Sequence, residues 1–248
     1  MFRILSTAWV FCVLAAPAGA AEVSVAVAAN FVAPMRMIAQ TFAQETGHKP
    51  VLAFGATGAF FAQIRNGAPF EVLLAADDKT PAELEQEGLG VPGSRFTYAT
   101  GRLVLWSAQA GLVDDQGAVL RTGRFARLAI ANPKLAPYGA AAIETLTRMG
   151  VLASLQAKIV QGDNVTQAWQ FVATGNAQLG LVAVSQVMRA GKPERGSAWV
   201  VPASLHAPIR QDAILLKKGQ ANPAALALLH FLRTPQAGTI IRSFGYDL

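Results

Sequence analysis

The chain is nearly without cysteine: Cys12 is the only one among 248 residues. No internal disulfide can form, so the fold must be held by its own core. Charge is sparse too. Charged residues make up 15% of the sequence against 52% hydrophobic, which fits a compact globular protein and excludes a disordered polyelectrolyte. The formal net charge is +6, one unit of it from Arg3. The other basic residues are scattered, with Lys217-Lys218 the only adjacent pair. Lacking a basic stripe with interleaved aromatics, the chain is not expected to bind nucleic acid.

Catalytic groups are few. His48, His206 and His230 are far apart, and none has a motif partner; lone histidines of this kind are expected at surfaces or interfaces. There is no G-x-S-x-G elbow, HExxH pair or Walker loop. Without clustered His and Cys, a protein-ligated transition metal is not expected. Asp77-Asp78 follows an apolar strand and suits helix capping better than metal binding. Asn164-Val165-Thr166 matches the glycosylation acceptor only by chance.

What is present begins with a leader. Arg3, the apolar stretch Ile4 to Ala16 and the small residues Ala18-Gly19-Ala20 read as a secretory signal over residues 1–20. It carries the lone cysteine away with it. No later segment offers eighteen unbroken apolar residues, so the mature chain is expected to have no membrane span. Beyond the leader, short apolar strands alternate with helical patterns, which predicts an α/β fold. Two lobes are expected: residues 21–102 with 206–248, and an inserted lobe over 103–205. The strands around Leu103 and Ala213 would link them, and a cleft between lobes is where ligands sit.

Four helix starts carry small or hydrogen-bonding residues after a strand. They are Ala29-Asn30, Ala56-Thr57-Gly58, Pro137-Tyr138-Gly139 (before a helix expected over Ala140 to Met149) and Asp163-Asn164-Val165. Each alone reads as an ordinary N-cap. Together they offer unpaired N–H groups, the positive ends of helix dipoles and uncharged side-chain donors, which suits a small anion.

These residues carry a resemblance. Ala28-Ala29-Asn30-Phe31, Phe54-Gly55-Ala56-Thr57-Gly58, Gly67-Ala68-Pro69-Phe70-Glu71-Val72 and Ala75-Ala76-Asp77 are joined by Asn132-Pro133 with Pro137-Tyr138-Gly139. Further on stand Gly180-Leu181-Val182-Ala183-Val184-Ser185-Gln186 and the ending Phe244-Gly245-Tyr246. In this order and spacing the chain resembles the periplasmic molybdate-binding proteins of ABC transporters over essentially its whole mature length. The resemblance implies a two-lobed periplasmic binding protein fold of type II, with a cleft between the lobes. It implies no enzyme activity and no cofactor. The ligand would be molybdate, and by near-equal size also tungstate. It would be held through its oxygens alone, with no direct protein–metal bond, by Ala29, Asn30, Thr57, Tyr138 and Val165. Here Asn30 and Thr57 would bring side-chain donors, Tyr138 its OH or N–H, and Val165 a backbone N–H. The partner would be a membrane ABC permease, the location the periplasm, and the state a monomer.

Many members of the family have serine where Asn30 and Thr57 stand, and a tyrosine where this chain has Ala183; Tyr138 is expected to stand in for that hydroxyl. A pocket made only of donors rejects protonated phosphate, whose O–H would find no acceptor, whereas sulfate must be rejected by size. Two other readings remain open at this point. One is a different oxyanion or a small organic acid on the same scaffold, with Arg65, Arg102 or Arg210 in the cleft. The other is an exported hydrolase using Ser185 or Asp77, which would need a histidine brought beside the serine.

Overall fold

A computed structural model describes residues 19–248. The leader reading therefore lies, but for its last two residues, outside the described residues. In chain order, the strands of the first part are β1 (Glu22–Ala28), β2 (Lys49–Gly55), β3 (Val72–Leu74) and β4 (Phe96–Gly101). Between them run helices α1 (Val32–Thr46), α2 (Thr57–Arg65) and α3 (Lys79–Gln86). The middle part holds β5 (Leu103–Ser107), α4 (Val119–Thr122), β6 (Leu128–Ala131), α5 (Pro137–Arg148), α6 (Leu152–Leu155), β7 (Ile159–Gly162), α7 (Val165–Ala173) and β8 (Leu179–Ala183). It continues with the short α8 (Val184–Val187), a hairpin of β9 (Met188–Arg189) and β10 (Lys192–Pro193), and β11 (Ser197–Val200). The chain closes with β12 (Ile209–Leu215), α9 (Pro223–Phe231) and α10 (Pro235–Ser243). Among the described residues no helix is long and apolar enough to cross a membrane.

Two five-stranded sheets result, in the orders β2-β1-β3-β12-β4 and β11-β5-β8-β6-β7. Three strands at one end of each sheet repeat one arrangement. β1 lies parallel between β2 and β3, and β6 lies parallel between β7 and β8. An antiparallel strand then joins each trio: β12 beside β3, and β5 beside β8. The chain passes from the first sheet to the second at Gly101-Arg102-Leu103 and returns between Val200 and Ile209.

The apolar pattern explains the layers. β1, buried along Val23, Val25, Ala26, Val27 and Ala28, reads as a near-continuous apolar run because helices cover both faces of its sheet. One face packs on Phe31, Met35, Ile38 and Phe42 of the first helical segment, together with Leu228 and Ile241 near the C-terminus. The other receives Phe60, Ile64 and Leu84. The second sheet has its own core, around Leu105, Leu128, Leu146 and Val172, which reaches Ala28, Ala56 and Ala76 of the first. In open sheets of this order, ligands sit beyond the carboxyl ends of the parallel strands where the order reverses. Here those ends are β1, β2, β6 and β7.

Candidate functional site

The four strand ends face one another. Ala29–Phe31 form a single 3-10 turn after β1, α2 starts two residues after β2, and α5 and α7 follow β6 and β7. Ala29, Asn30, Thr57, Tyr138 and Val165 all line one cavity, with Ala28, Gly55, Ala56, Ala76, Ala136, Pro137 and Asn164. It is small, about 10 Å3. Among the described residues, no lysine, arginine, aspartate or glutamate lines it.

Two of the three helices that start at this cavity, α2 and α5, lack a side-chain cap, as α1, α3, α4, α6 and α8 also do. α9 and α10 begin with conventional caps, Asn222 accepting from the Ala224 N–H and Thr234 from the Ala237 N–H. The N-cap residue of α2 is Ala56 and that of α5 is Ala136, and neither has a side chain that can accept a hydrogen bond. Thr57 is the first residue of α2. In α5, Pro137 comes first and has no N–H, so Tyr138 carries the first available donor. α7 is partly capped: Asn164 Oδ1 accepts from Thr166 and Gln167 at 3.0 and 3.1 Å, which passes over Val165. First-turn N–H groups have no acceptor in their own helix. Among the described residues, the N–H groups of Thr57, Tyr138 and Val165 donate to no backbone oxygen. Three helix dipoles, two from the second sheet's side and one from the first, thus present open donors to the same space.

The side chains divide into two roles. Thr57, 1% exposed, accepts the Ala76 N–H at 2.9 Å, so its own hydroxyl hydrogen is left to donate. Asn30 is differently engaged. Its Nδ2 donates to Gln211 Oε1 at 2.8 Å and to the Tyr246 hydroxyl at 2.9 Å, which uses both amide hydrogens. Its side chain is a strut, and a ligand beside it meets the adjoining backbone. Tyr138 corrects an expectation: α5 starts at Pro137 and not at Ala140, so Tyr138 is inside the helix. Its hydroxyl accepts from Gln211 Nε2 at 3.3 Å and also bonds to the Tyr246 hydroxyl, so it is turned to the network behind the cavity, and the backbone N–H is its open donor. Ala183 lies at the end of β8 opposite Leu103, its N–H accepted by Gln186 Oε1.

Behind the cavity these groups belong to one network. Tyr98 shares its one O–H between the Ala75 carbonyl at 2.9 Å and Gln211 Oε1 at 3.0 Å. Tyr246 approaches the Asn30 carbonyl at 2.8 Å and Ser185 Oγ at 3.0 Å. The chain has three tyrosines, and all three are here. Burial pushes the hydroxyls of Tyr98 and Tyr138 well above the ordinary tyrosine range, and that of Tyr246 to about 12. The network is therefore neutral. A bulge between Gln211 and Asp212, which leaves Tyr98 without a partner on β12, re-aims this stretch of strand. Asp212 is held away from the network by Arg95 at 2.6 Å and Thr97 at 2.7 Å. Sequence reading missed Gln211, Tyr98 and Tyr246 as partners of the site. The available signal was a polar Gln-Asp pair opening an otherwise apolar strand.

The residues of the rival readings fall elsewhere. Ser185 Oγ donates to the Asn30 carbonyl at 2.8 Å, and its other neighbour is the Tyr246 hydroxyl, so no base stands beside it. Arg65 pairs with Glu87. Arg102 lines a separate pocket with Arg242, on the outer side of the crossover. Arg210 lines an outer pocket of about 380 Å3 at the cleft mouth, with Lys79, Lys134, Asp77 and Glu144. There Asp77 accepts from the Thr80 N–H at 2.8 Å, a capping contact, and burial raises its carboxyl above the usual range.

Comparison with known proteins gives consistent matches over this whole architecture. The family described as bacterial extracellular solute-binding protein matches residues 23–247. The Molybdate-binding protein ModA of Azotobacter vinelandii is 59% identical over 235 residues, spanning 95% of this chain and 93% of the relative. That of Rhodobacter capsulatus is 54% identical over 233 residues, spanning 94% and 91%. The solved structure of an Azotobacter vinelandii periplasmic molybdate-binding protein superposes with a TM-score of 0.89 at 43% identity, over 92% of this chain and 99% of the other.

Proposed function

We propose a function for a chain that belongs to the bacterial extracellular solute-binding proteins: it captures molybdate in the periplasm and delivers it to a membrane ABC importer. It is a binding protein and not an enzyme, as its relatives are. The observation that carries the reading is the set of uncapped donors at Thr57, Tyr138 and Val165 around one small cavity without charged side chains.

A tetrahedral dianion offers only acceptors. Backbone N–H groups and the Thr57 hydroxyl offer donors, and three helix N-termini add positive potential without a cation. The anion needs no metal–protein bond, because its oxygens meet the donors. Fixed, neutral donors discriminate by proton content: a protonated phosphate brings an O–H that would lack an acceptor. Sulfate presents the same pattern as molybdate and is rejected by size. Tungstate, nearly isosteric with molybdate, binds alongside it. The protein acts as a monomer, and closure of the two halves on the anion is the state the permease reads.

Calorimetry with molybdate, tungstate, sulfate and phosphate tests this. Molybdate and tungstate are expected to bind one to one at micromolar concentration or below, with sulfate and phosphate far weaker. Absence of molybdate binding, or a preference for sulfate, would overturn it.

A further inference from the structure

Gln211 is fully buried and does not line the cavity, yet its amide ties together the two halves of the site. Its Oε1 accepts from Asn30 Nδ2 at 2.8 Å and from the Tyr98 hydroxyl at 3.0 Å, both on the first sheet's side. Its Nε2 donates across the cleft to the Tyr138 hydroxyl at 3.3 Å. A neutral amide is the side chain that offers an acceptor at one end and a donor at the other. The Asn30 amide donor at 2.8 Å, with the Tyr98 O–H shared between Gln211 and the Ala75 carbonyl, sets Oε1 on this side, so the donor end faces Tyr138. The protein keeps space for this contact: a Cβ on Gly101 would collide with both the Tyr138 hydroxyl and Gln211 Nε2.

The geometry points to Gln211 as the positioning residue of the oxyanion site. Through Asn30 it holds the turn after β1, and through Tyr138 the start of α5, so the backbone donors on the two sides meet the anion in one register. The inference rests on the oxyanion-binding reading above. Three groups bond to the amide, Asn30 from the turn after β1, Tyr98 from β4 and Tyr138 from α5, and Tyr246 from the C-terminus stands behind Asn30. All are neutral. Asp212, next along β12, is engaged by Arg95 and Thr97.

Gln211→Glu tests the role, because the variant has the same shape and a titratable donor end. Protonated, the carboxyl keeps its O–H for Tyr138 and its carbonyl for Asn30 and Tyr98. Ionised, it has acceptors only and sets a negative charge behind the anion. Molybdate affinity is measured by calorimetry from about pH 6 to about pH 10, the span in which a buried glutamate titrates, with the melting temperature of the free protein at each point. The wild type is expected to vary little. The variant is expected to approach it at the acid end and to weaken roughly ten-fold or more as the carboxyl ionises. A variant that follows the wild type at every pH overturns the role, and so does a loss that is constant with pH, which would assign Gln211 to packing alone. A wild type that fails to bind molybdate overturns the function itself, and the role with it, before any variant is compared. If Gln211→Glu does not fold, Gly101→Ala displaces the same contact from the opposite side; it should weaken binding, and unchanged affinity would overturn the role.

Discussion

At the scale of single residues, Thr57 and Asn30 look alike in sequence and do different work in the fold. Thr57 spends its lone pair on the Ala76 N–H and keeps its hydrogen for a ligand. Thr57→Val should remove a hydrogen bond to a charged group, worth about 1.5–3 kcal/mol, or roughly ten- to a hundred-fold in affinity by calorimetry. Thr57→Ser should stay near the wild type, and equal losses in both would mean the hydroxyl is not the active feature. Asn30→Ala should lower affinity and melting temperature together, because it takes one buried donor from Gln211 Oε1 and one from the Tyr246 hydroxyl. A melting temperature left unchanged would contradict the strut. The three tyrosines supply a further check. Each is held neutral by burial, so the folded state binds protons that unfolded tyrosines lose near pH 10. Their contribution to stability is fully present below about pH 10 and falls as pH rises towards about 12, the Tyr246 value. Ultraviolet titration of the native protein should show no phenolate at the ordinary tyrosine midpoint. Normal titration of even one of them would mean the network is open to water.

At the scale of elements, the deciding feature is the open first donor of each helix. Alanine is a poor N-cap, and α2 and α5 both carry one where α9 and α10 carry Asn and Thr. Ala56→Ser would offer an acceptor to the second and third donors of α2 and pass over Thr57, as Asn164 passes over Val165. The free protein should gain about 0.5–2 kcal/mol, seen as a higher melting temperature, while molybdate affinity stays near the wild type. A large loss of affinity would contradict the first N–H of the helix as the binding element. The strand-to-helix units at Asn30, Thr57 and Val165 were legible in the sequence, because an apolar run followed by small polar residues and 3.6-residue spacing is a local signal. The start of α5 was legible too, but set three residues late, at Ala140; proline fits the first helical position, and Pro137 occupies it. β4 was missed, since Phe96-Thr97-Tyr98-Ala99-Thr100-Gly101 alternates weakly and runs into β5 after one residue. The network behind the cavity joins positions 30, 98, 138, 185, 211 and 246. No window of sequence holds more than one of them, so only the topology could bring them together.

At the scale of the molecule, both sheets place a central strand between two parallel neighbours and aim their helix starts at the same cleft. No repeat is visible in the sequence, because such a sheet asks only for buried apolar strands and not for particular residues. The halves also touch directly. Gly58 N–H donates to the Leu135 carbonyl at 2.9 Å, and Thr166 Oγ1 donates to the Ala29 carbonyl at 3.0 Å. A Cβ on Gly58 would come within 3.1 Å of Leu135 backbone atoms. Gly58→Ala should therefore resist closure, weakening affinity by an amount equivalent to about 1–3 kcal/mol of overpacking, with the melting temperature of the free protein nearly unchanged. A variant that binds as tightly as the wild type would mean that this edge does not limit closure. The central claim is that a dianion is held by neutral donors at helix starts, away from the basic residues of the cleft mouth. The most direct measurement is the anomalous scattering of molybdenum in crystals grown with molybdate. The account predicts one peak in the inner cavity, with oxygens about 2.7–3.1 Å from the N–H groups of Thr57, Tyr138 and Val165. A peak in the outer pocket, against Lys79, Lys134 or Arg210, would contradict it.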